Sequence, residues 1–336
     1  MKDSAHMLEL MDRPAFCVAG GIITAANKAA LARQIPLGEP VGPMLVTGGE
    51  EYREFDRGWL SLRLGCCGEV YDATVSAVEG KHIFTLESQD AEEELRALAL
   101  TAQVLRDPLG DVLAQVEALA QDMEPERLAR IRKGLYRMLR IVGNLSIQNG
   151  HLPEMQDVDA VLRELCEKAE SACESRGVEL CYQGTNMPLY SCVDAQLLSR
   201  AIHNLLSNAL KFAADGGRIE LELSRGKRFY RISVRDYGKS ADAGLDLFTR
   251  WRREPGIEDG RSGLGLGLKL VQLAAAAHGG TVWFDRLKGE GFRVILSLPI
   301  NQDSLMRNQR YRVSYSGDRD PMLLELSDVL PPEFYQ

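Results

Sequence analysis

Three short segments in the second half of the chain carry residue types that could act together on one ligand. In Asn204-Leu-Leu-Ser-Asn208 two amides lie four residues apart, so they share one helix face and are candidate ligands for Mg²⁺. Asp236-Tyr-Gly238 places a lone carboxylate after the apolar strand Tyr230 to Val234. The glycine segment from Gly263 to Leu268 offers unobstructed backbone N–H groups directly before a helix, whose N-terminus favours phosphate.

Each of these segments has an ordinary structural interpretation when it is taken alone. Glycines at a helix start allow tight packing, and paired asparagines occur on many helix surfaces. The order of amide, carboxylate and glycine loop within one predicted domain favours an ATP site with Mg²⁺.

Length and composition limit the classes of function. A chain of 336 residues is expected to hold two or three domains, and its net charge of -8 gives no electrostatic reason to expect nucleic acid as a partner. No apolar run approaches the roughly 20 residues that span a bilayer, and no signal peptide is recognised, so we expect a cytoplasmic protein. The 7 cysteines have no metal-ligand spacing and are expected to be reduced thiols.

The pattern predicts a multidomain α+β chain in four regions. Residues 1–88 are mostly strand, with a three-strand meander near the end. Residues 89–152 show apolar positions three and four apart on both sides of Pro125, which predicts a helical hairpin. One hairpin cannot cover both sides of its apolar face, so we expect a homodimer through residues 92–148 that forms a four-helix bundle.

Residues 153–300 alternate helices with strands and predict an α/β sandwich. Residues 301–336 form a tail that is polar at first and then carries Met322-Leu-Leu-Glu-Leu326, an apolar run suited to docking. The sequence does not indicate where this run would dock.

Residues 90 to 300 resemble the hairpin and ATP-binding domain of sensor histidine kinases, which have the Bergerat ATPase fold. The resemblance implies that Asn208 holds magnesium, that Lys211 contacts phosphate, and that Asp236 binds the adenine amino group. Leu247-Phe248 and Arg250-Trp251 resemble the hinge of the mobile lid over the nucleotide. The implied metal ligands are Asn204 and Asn208, and the implied ATP-binding set is Asn208, Lys211, Asp236, Gly238, Gly263, Leu264, Gly265, Leu266, Gly267 and Leu268.

The N-terminal region is similar to a PAS sensor module, a small α/β fold. The similarity rests on Phe16-Cys-Val-Ala-Gly-Gly-Ile-Ile, then Asn27, then the three-strand meander. It implies that the region senses an input signal.

The first hairpin helix departs from the family pattern at the phospho-acceptor. Histidine kinases carry a histidine followed by Glu-Leu-Arg-x-Pro-Leu, and this chain has Gln103-Val-Leu-Arg-Asp-Pro108-Leu109. Glutamine has no nucleophilic lone pair to attack a γ-phosphate, so the usual self-phosphorylation is not expected. Ser240, where the carboxylate segment usually ends in glycine, is a second departure; its side chain beside the adenine pocket is expected to weaken nucleotide binding without abolishing it.

Two function hypotheses therefore stay open. One is an enzyme of the histidine kinase class that transfers phosphate to another acceptor, such as His151 or a histidine of a partner. The other is a non-catalytic ATP-binding scaffold that acts on a partner through its hairpin. A response regulator is an expected partner of a row of arginines on the second helix, although such a row is more often solvated: Arg127, Arg130, Arg132, Arg137 and Arg140. Asn204, where chaperone and mismatch-repair ATPases carry a catalytic glutamate, argues against those relatives.

Overall fold

The computed structural model describes residues 8–9, 11, 13–78, 80–87, 89–145, 153–213, 217–238, 266–287, 291–301 and 319–336. Gly263, Leu264 and Gly265 of the glycine segment, the hinge residues 247–251, Ser240 and His151 lie outside these ranges. The side chains of Gln103 and Leu266 lie outside the description as well, although both residues are placed in helices.

The elements of the N-terminal region are β1 (Ala15–Ala19), β2 (Ile22–Ala26), α1 (Lys28–Ala32), α2 (Gly49–Glu54), β3 (Trp59–Cys66), β4 (Glu69–Val78) and β5 (Lys81–Leu86). Its strands form an antiparallel sheet with the order β2-β1-β5-β4-β3. Alternate residues of β3 are buried, as expected for a strand that packs one face on a core. The predicted meander is present, and the assignment of this region as a PAS domain stays a prediction.

A hairpin of two long helices follows, as predicted. It consists of α3 (Gln89–Ala118) and α4 (Pro125–Leu145), joined through a short 3₁₀ turn at Ala120–Asp122. Pro108 lies inside α3, and Pro125 opens α4, where its missing N–H costs nothing. Leu113 of α3 packs with Leu135 and Leu139 of α4.

The C-terminal region is a mixed α/β domain in which the helices among the described residues pack on one face of a sheet. Its elements are β6 (Glu154–Asp157), α5 (Val158–Glu174), β7 (Glu179–Gln183), β8 (Tyr190–Val193), α6 (Ala195–Phe212), β9 (Arg218–Arg225), β10 (Phe229–Asp236), α7 (Leu266–Ala277), β11 (Thr281–Leu287) and β12 (Gly291–Pro299). The sheet has the order β11-β12-β10-β9-β7, with β7 parallel to β9 and its other pairs antiparallel. The short pair of strands β6 and β8, four residues each, was not predicted from the sequence.

The N-terminal and C-terminal strands join in one sheet, which the sequence did not indicate. In the described part of the chain β3 pairs with β11, so that 10 strands form a continuous sheet. Asp285 of β11 binds Arg57, with 2.9 Å between Oδ1 and Nε, and it also accepts from Arg293. Lys269 of α7 donates to both carboxylate oxygens of Glu87 at 2.6 Å. Ionic contacts therefore reinforce the backbone pairing between the two regions.

The C-terminal segment, residues 319–336, docks between the hairpin and the C-terminal domain. It contains α8 (Pro321–Glu325) and a 3₁₀ turn at Pro332–Tyr335. Leu324 packs in the hairpin core, whereas Met322, Leu326, Val329, Leu330 and Tyr335 join the core of the α/β domain. Among the helices that the described residues form, none has the length and apolar character needed to cross a membrane.

Candidate functional site

One face of α6 positions the amide and lysine residues of the site. Asp194 caps the helix, since its Oδ1 accepts from the N–H groups of Gln196 at 3.1 Å and Leu197 at 3.0 Å. His278, at the end of α7, accepts the N–H of Asp194 with Nε2 at 2.9 Å while its Nδ1 lies 2.6 Å from the carbonyl of Ala274. The two helix ends are therefore fixed to each other, which is the structural role expected for this histidine.

Asn204 is buried, and both ends of its carboxamide bind other parts of the chain. Its Oδ1 accepts from Arg140 Nη2 at 3.1 Å, and its Nδ2 donates to the carbonyl of Arg200 at 2.9 Å and to Glu325 Oε2 at 3.3 Å. A Cβ built on Gly267 would lie 2.9 Å from Asn204 Oδ1, so this glycine lets α7 approach α6 closely. The first turn of α7 is thus brought to the asparagine, and Leu268 packs against the domain core.

Asn208 and Lys211 lie on the next turns of the same face of α6. Asn208 is half-buried. Lys211 Nζ donates to Asp328 Oδ2 at 2.9 Å, although the sequence analysis assigned this lysine to phosphate. Burial lowers the pKa of Lys211, and nearby Arg140 adds to this effect while Asp328 opposes it. The ammonium group of Lys211 therefore lies close to other positive side chains, among them Arg140.

Asp236 ends β10, where the strand meets the C-terminal end of α6. Its Oδ1 accepts the N–H of Gly238 at 3.0 Å, and the residue is 6% exposed. Burial raises the pKa of Asp236, although hydrogen bonds from Gly238 and Phe292 and the charge of Arg235 oppose the rise. Gly238 is required here, because a Cβ at this position would lie 1.9 Å from the carbonyl oxygen of Phe212. The structure thus brings Asp236, Gly238 and the end of α6 together.

The region that holds these residues matches a known family. Residues 193–302 fit the family model described as histidine kinase-, DNA gyrase B-, and HSP90-like ATPase. These residues therefore form an ATPase domain of that family, and the chain is similar to sensor histidine kinases. The recognition made from the three sequence segments is therefore confirmed.

Individual members of the histidine kinase family resemble this chain over more than half of its length. The chain is 26% identical over 238 residues to the sensor histidine kinase WalK of Bacillus subtilis (strain 168). The aligned region covers 65% of this chain and 38% of WalK. It is 27% identical over 228 residues to the adaptive-response sensory kinase SasA of Prochlorococcus marinus, and the aligned region covers 63% of this chain and 59% of SasA. Full-length ShkA, crystallised with AMPPNP, gives a TM-score of 0.49 at 21% identity and covers 63% of this chain and 47% of ShkA. The chain thus spans less than two thirds of the length of these relatives.

Sequence reasoning about this histidine kinase ATPase domain missed a group of charges beside α6. We call Arg137, Arg140, Arg200 and Lys211 the cationic cluster. Asp328 lies 2.8 Å from Arg137 Nε and 2.8 Å from Arg140 Nη1, and Glu325 lies 3.3 Å from Arg200 Nε and 3.5 Å from Arg140 Nε. The available signal was the spacing of three between Arg137 and Arg140 and again between Glu325 and Asp328, which predicts one face each.

The arginine row on α4 is therefore not simply solvated. Arg137 and Arg140 bind carboxylates of the C-terminal segment, and Arg132 pairs with Glu117 and donates to the carbonyl of Tyr335 at 3.2 Å. Arg130 pairs only with Glu126 one turn earlier among the described ion pairs, and both are largely exposed.

Proposed function

We propose that the chain is a histidine-kinase-like signal transduction protein that binds Mg-ATP beside α6. Asp236 would accept a hydrogen bond from the adenine amino group, and Lys211 would contact the phosphates. The glycine segment up to Gly267 and Leu268 would line the phosphates with backbone N–H groups. One observation carries the proposal: a buried carboxylate, held by Gly238 at a close approach to α6, lies in a region that matches the ATPase family.

The asparagine side chains of α6 suit a Mg²⁺ ion that takes its remaining ligands from phosphate and water. Mg²⁺ commonly takes one or two protein oxygens together with phosphate oxygens and waters, and it neutralises charge that develops during phosphoryl transfer. Asn208 is half-buried and fits as one such ligand. Asn204 is already engaged by Arg140, so its Oδ1 would have to release that arginine before it joined the metal.

The same nucleotide site serves both function hypotheses. Phosphoryl transfer depends chiefly on positioning and charge neutralisation, which the ATP site supplies. The usual phospho-acceptor histidine is missing, because its position in α3 is taken by Gln103, which has no nucleophilic nitrogen. This substitution favours the non-catalytic scaffold, in which nucleotide occupancy changes the hairpin and thereby a partner.

Exposed apolar residues on the hairpin support the proposed homodimer through residues 92–148. Large apolar side chains of α3 are exposed in the single chain: Leu100, Val104, Leu105 and Val112. A second hairpin would cover them and complete a four-helix bundle. We place the protein in the cytoplasm because that compartment supplies ATP, and we propose a response regulator as one candidate partner.

Calorimetry with a hydrolysis-resistant ATP analogue and Mg²⁺ tests the proposal. Binding of the adenine analogue and not of the matching guanine analogue is expected, because Asp236 accepts a hydrogen bond and guanine presents an oxygen at the corresponding position. No heat of association on well-folded protein would contradict the ATP assignment.

A labelling experiment separates the two function hypotheses. We expect no stable label on the wild-type chain after incubation with γ-labelled ATP, and acid-labile label on the variant Gln103→His if the remaining machinery is competent. Acid-labile label on the wild type would instead favour the enzyme with another acceptor, which a further variant at His151 would locate.

A further inference from the structure

The cationic cluster extends the nucleotide-binding face of α6 toward the hairpin. Arg200, Asn204, Asn208 and Lys211 follow one another at intervals of four, four and three residues, so they share that face. Arg137 and Arg140 reach the same place from α4. Positive side chains from two elements therefore converge beside the lysine that was assigned to phosphate.

The anions now bound there come from the chain itself. Asp328 contacts Lys211, Arg137 and Arg140, and its side chain is 9% exposed. Glu325 is 1% exposed and lies against Arg140 and Arg200. Asp328 takes the position that a phosphate oxygen would need in order to reach Lys211, whereas Glu325 occupies the two arginines.

Arg140 has unused hydrogen-bonding capacity in this arrangement. It is 5% exposed, and its Nε and Nη1 make no hydrogen bond to any described residue although both carboxylates lie within ion-pair distance. Buried guanidinium donors are normally satisfied, and phosphate is a ligand that arginine binds with several donors at once. Nη2 of Arg140 donates to Asn204, so Asp328 and Glu325 neutralise the guanidinium while its Nε and Nη1 stay without a hydrogen bond to a described residue.

We propose that Arg140 and Lys211, with Arg137 and Arg200, form a polyanion site in which Asp328 and Glu325 are the resident anions and the phosphates of Mg-ATP compete with them. This inference rests on the proposed ATP binding. The C-terminal segment stays anchored near its two ends by the buried side chains of Met322 and Tyr335, while the residues around Asp328 loosen and Asp328 leaves Lys211. Because Asp328 also binds Arg137 and Arg140 of α4, nucleotide occupancy changes the contact between the segment and the hairpin.

The test compares Asp328→Asn with Glu333→Gln, a matched change at an exposed position of the same segment. Calorimetry with the magnesium complex of a hydrolysis-resistant ATP analogue is expected to give about tenfold tighter binding to Asp328→Asn, because internal competition lowers the fraction of chains that are competent to bind. Glu333→Gln should bind as the wild type does.

The outcomes separate this inference from the proposed function. Equal affinity of wild type, Asp328→Asn and Glu333→Gln would overturn the competition while ATP binding stood. Absence of binding by all of these folded proteins would overturn both proposals.

A second measurement applies if Asp328→Asn does not fold. On the wild-type chain, amide hydrogen exchange of residues 324–330 is expected to rise with the magnesium ATP analogue and not with adenosine, which has no phosphate. Equal exchange with the two ligands would count against the competition.

Discussion

The candidate site has two ends that are built differently. Close backbone packing positions Asp236 at one end, whereas charged side chains of separate segments position Lys211 at the other. Asp236 and Gly238 are two residues apart, and the glycine rests on the carbonyl of Phe212 without room for a side chain. Lys211 meets Asp328, which is 117 residues away, together with Arg137 and Arg140 of the hairpin.

Because their geometry has different origins, the two ends respond to different changes. The Asp236 end depends on local sequence and on the fold of one domain, so it keeps its shape whenever that domain is folded. The Lys211 end depends on the docking of the hairpin and the C-terminal segment, so any event that alters this docking alters the Lys211 end first.

The largest expected effect is that of Arg140→Met. Removing the buried guanidinium leaves Glu325 and Asp328 with fewer positive partners, and breaking a buried pair in this way costs about 3 kcal/mol of unfolding free energy. Lys211→Met should cost about 1 kcal/mol or less, because Asp328 keeps Arg137 and Arg140. Urea unfolding of the two variants measures this contrast, and equal losses would show that Lys211 is as much a structural residue as Arg140.

Gly238→Ala tests the packing of the Asp236 end. The added Cβ would lie 1.9 Å from a backbone oxygen, which cannot be relieved by a side-chain rotation, so we expect a loss of about 2–3 kcal/mol. Gly134→Ala is the control, since Gly134 lies inside α4 with nothing within 4 Å of the added Cβ. That change should stabilise by about 0.5–1 kcal/mol. A similar response of both variants to urea would contradict the steric argument.

The contrast between the two ends also explains what the sequence could predict. Asp236, Gly238, Asn208 and Gly267 belong to short segments whose residue types and spacing are themselves the signal. The helical hairpin and the alternation of helices and strands follow from periodicity, and the described residues show both, although the short strands β6 and β8 were not predicted. The pairing of β3 with β11 and the meeting of Lys211 with Asp328 join segments far apart in the chain, and local periodicity contains no information on such contacts.

Asp236→Asn should weaken ATP binding without lowering the thermal stability of the nucleotide-free protein. The change removes the proposed acceptor for the adenine amino group, and an unsatisfied buried donor costs about 1–3 kcal/mol, so ATP affinity should fall by roughly tenfold or more. The melting temperature of the nucleotide-free protein should not fall at neutral pH, because the native carboxylate is desolvated when it is charged. Calorimetry and thermal unfolding of the same sample test this pair of effects, and parallel losses would indicate that Asp236 is chiefly structural.

The smallest expected effect concerns two buried aspartates whose ionised carboxylates contribute to the stability of the fold with opposite signs. Burial raises the pKa of Asp236 above 3.8, so the folded state holds this proton more tightly than the unfolded state does, and the contribution to stability falls as the pH rises through the raised pKa. For Asp328, burial alone would raise the pKa, but Arg140, Lys211 and Arg137 outweigh it and lower the pKa below 3.8. The contribution of Asp328 is therefore complete above its unfolded value and is lost as the pH falls through its lowered pKa.

Asp236→Asn should accordingly raise the melting temperature at pH 7, whereas Asp328→Asn should lower it, and both differences should shrink toward acid pH. Thermal unfolding of both variants and the wild type across the acid range measures the effect, with Glu333→Gln as the control for loss of an exposed carboxylate. Two changes of the same sign at neutral pH would mean that the charges around Asp328 do not outweigh its burial, and the contrast between a packed end and a charged end would then fail.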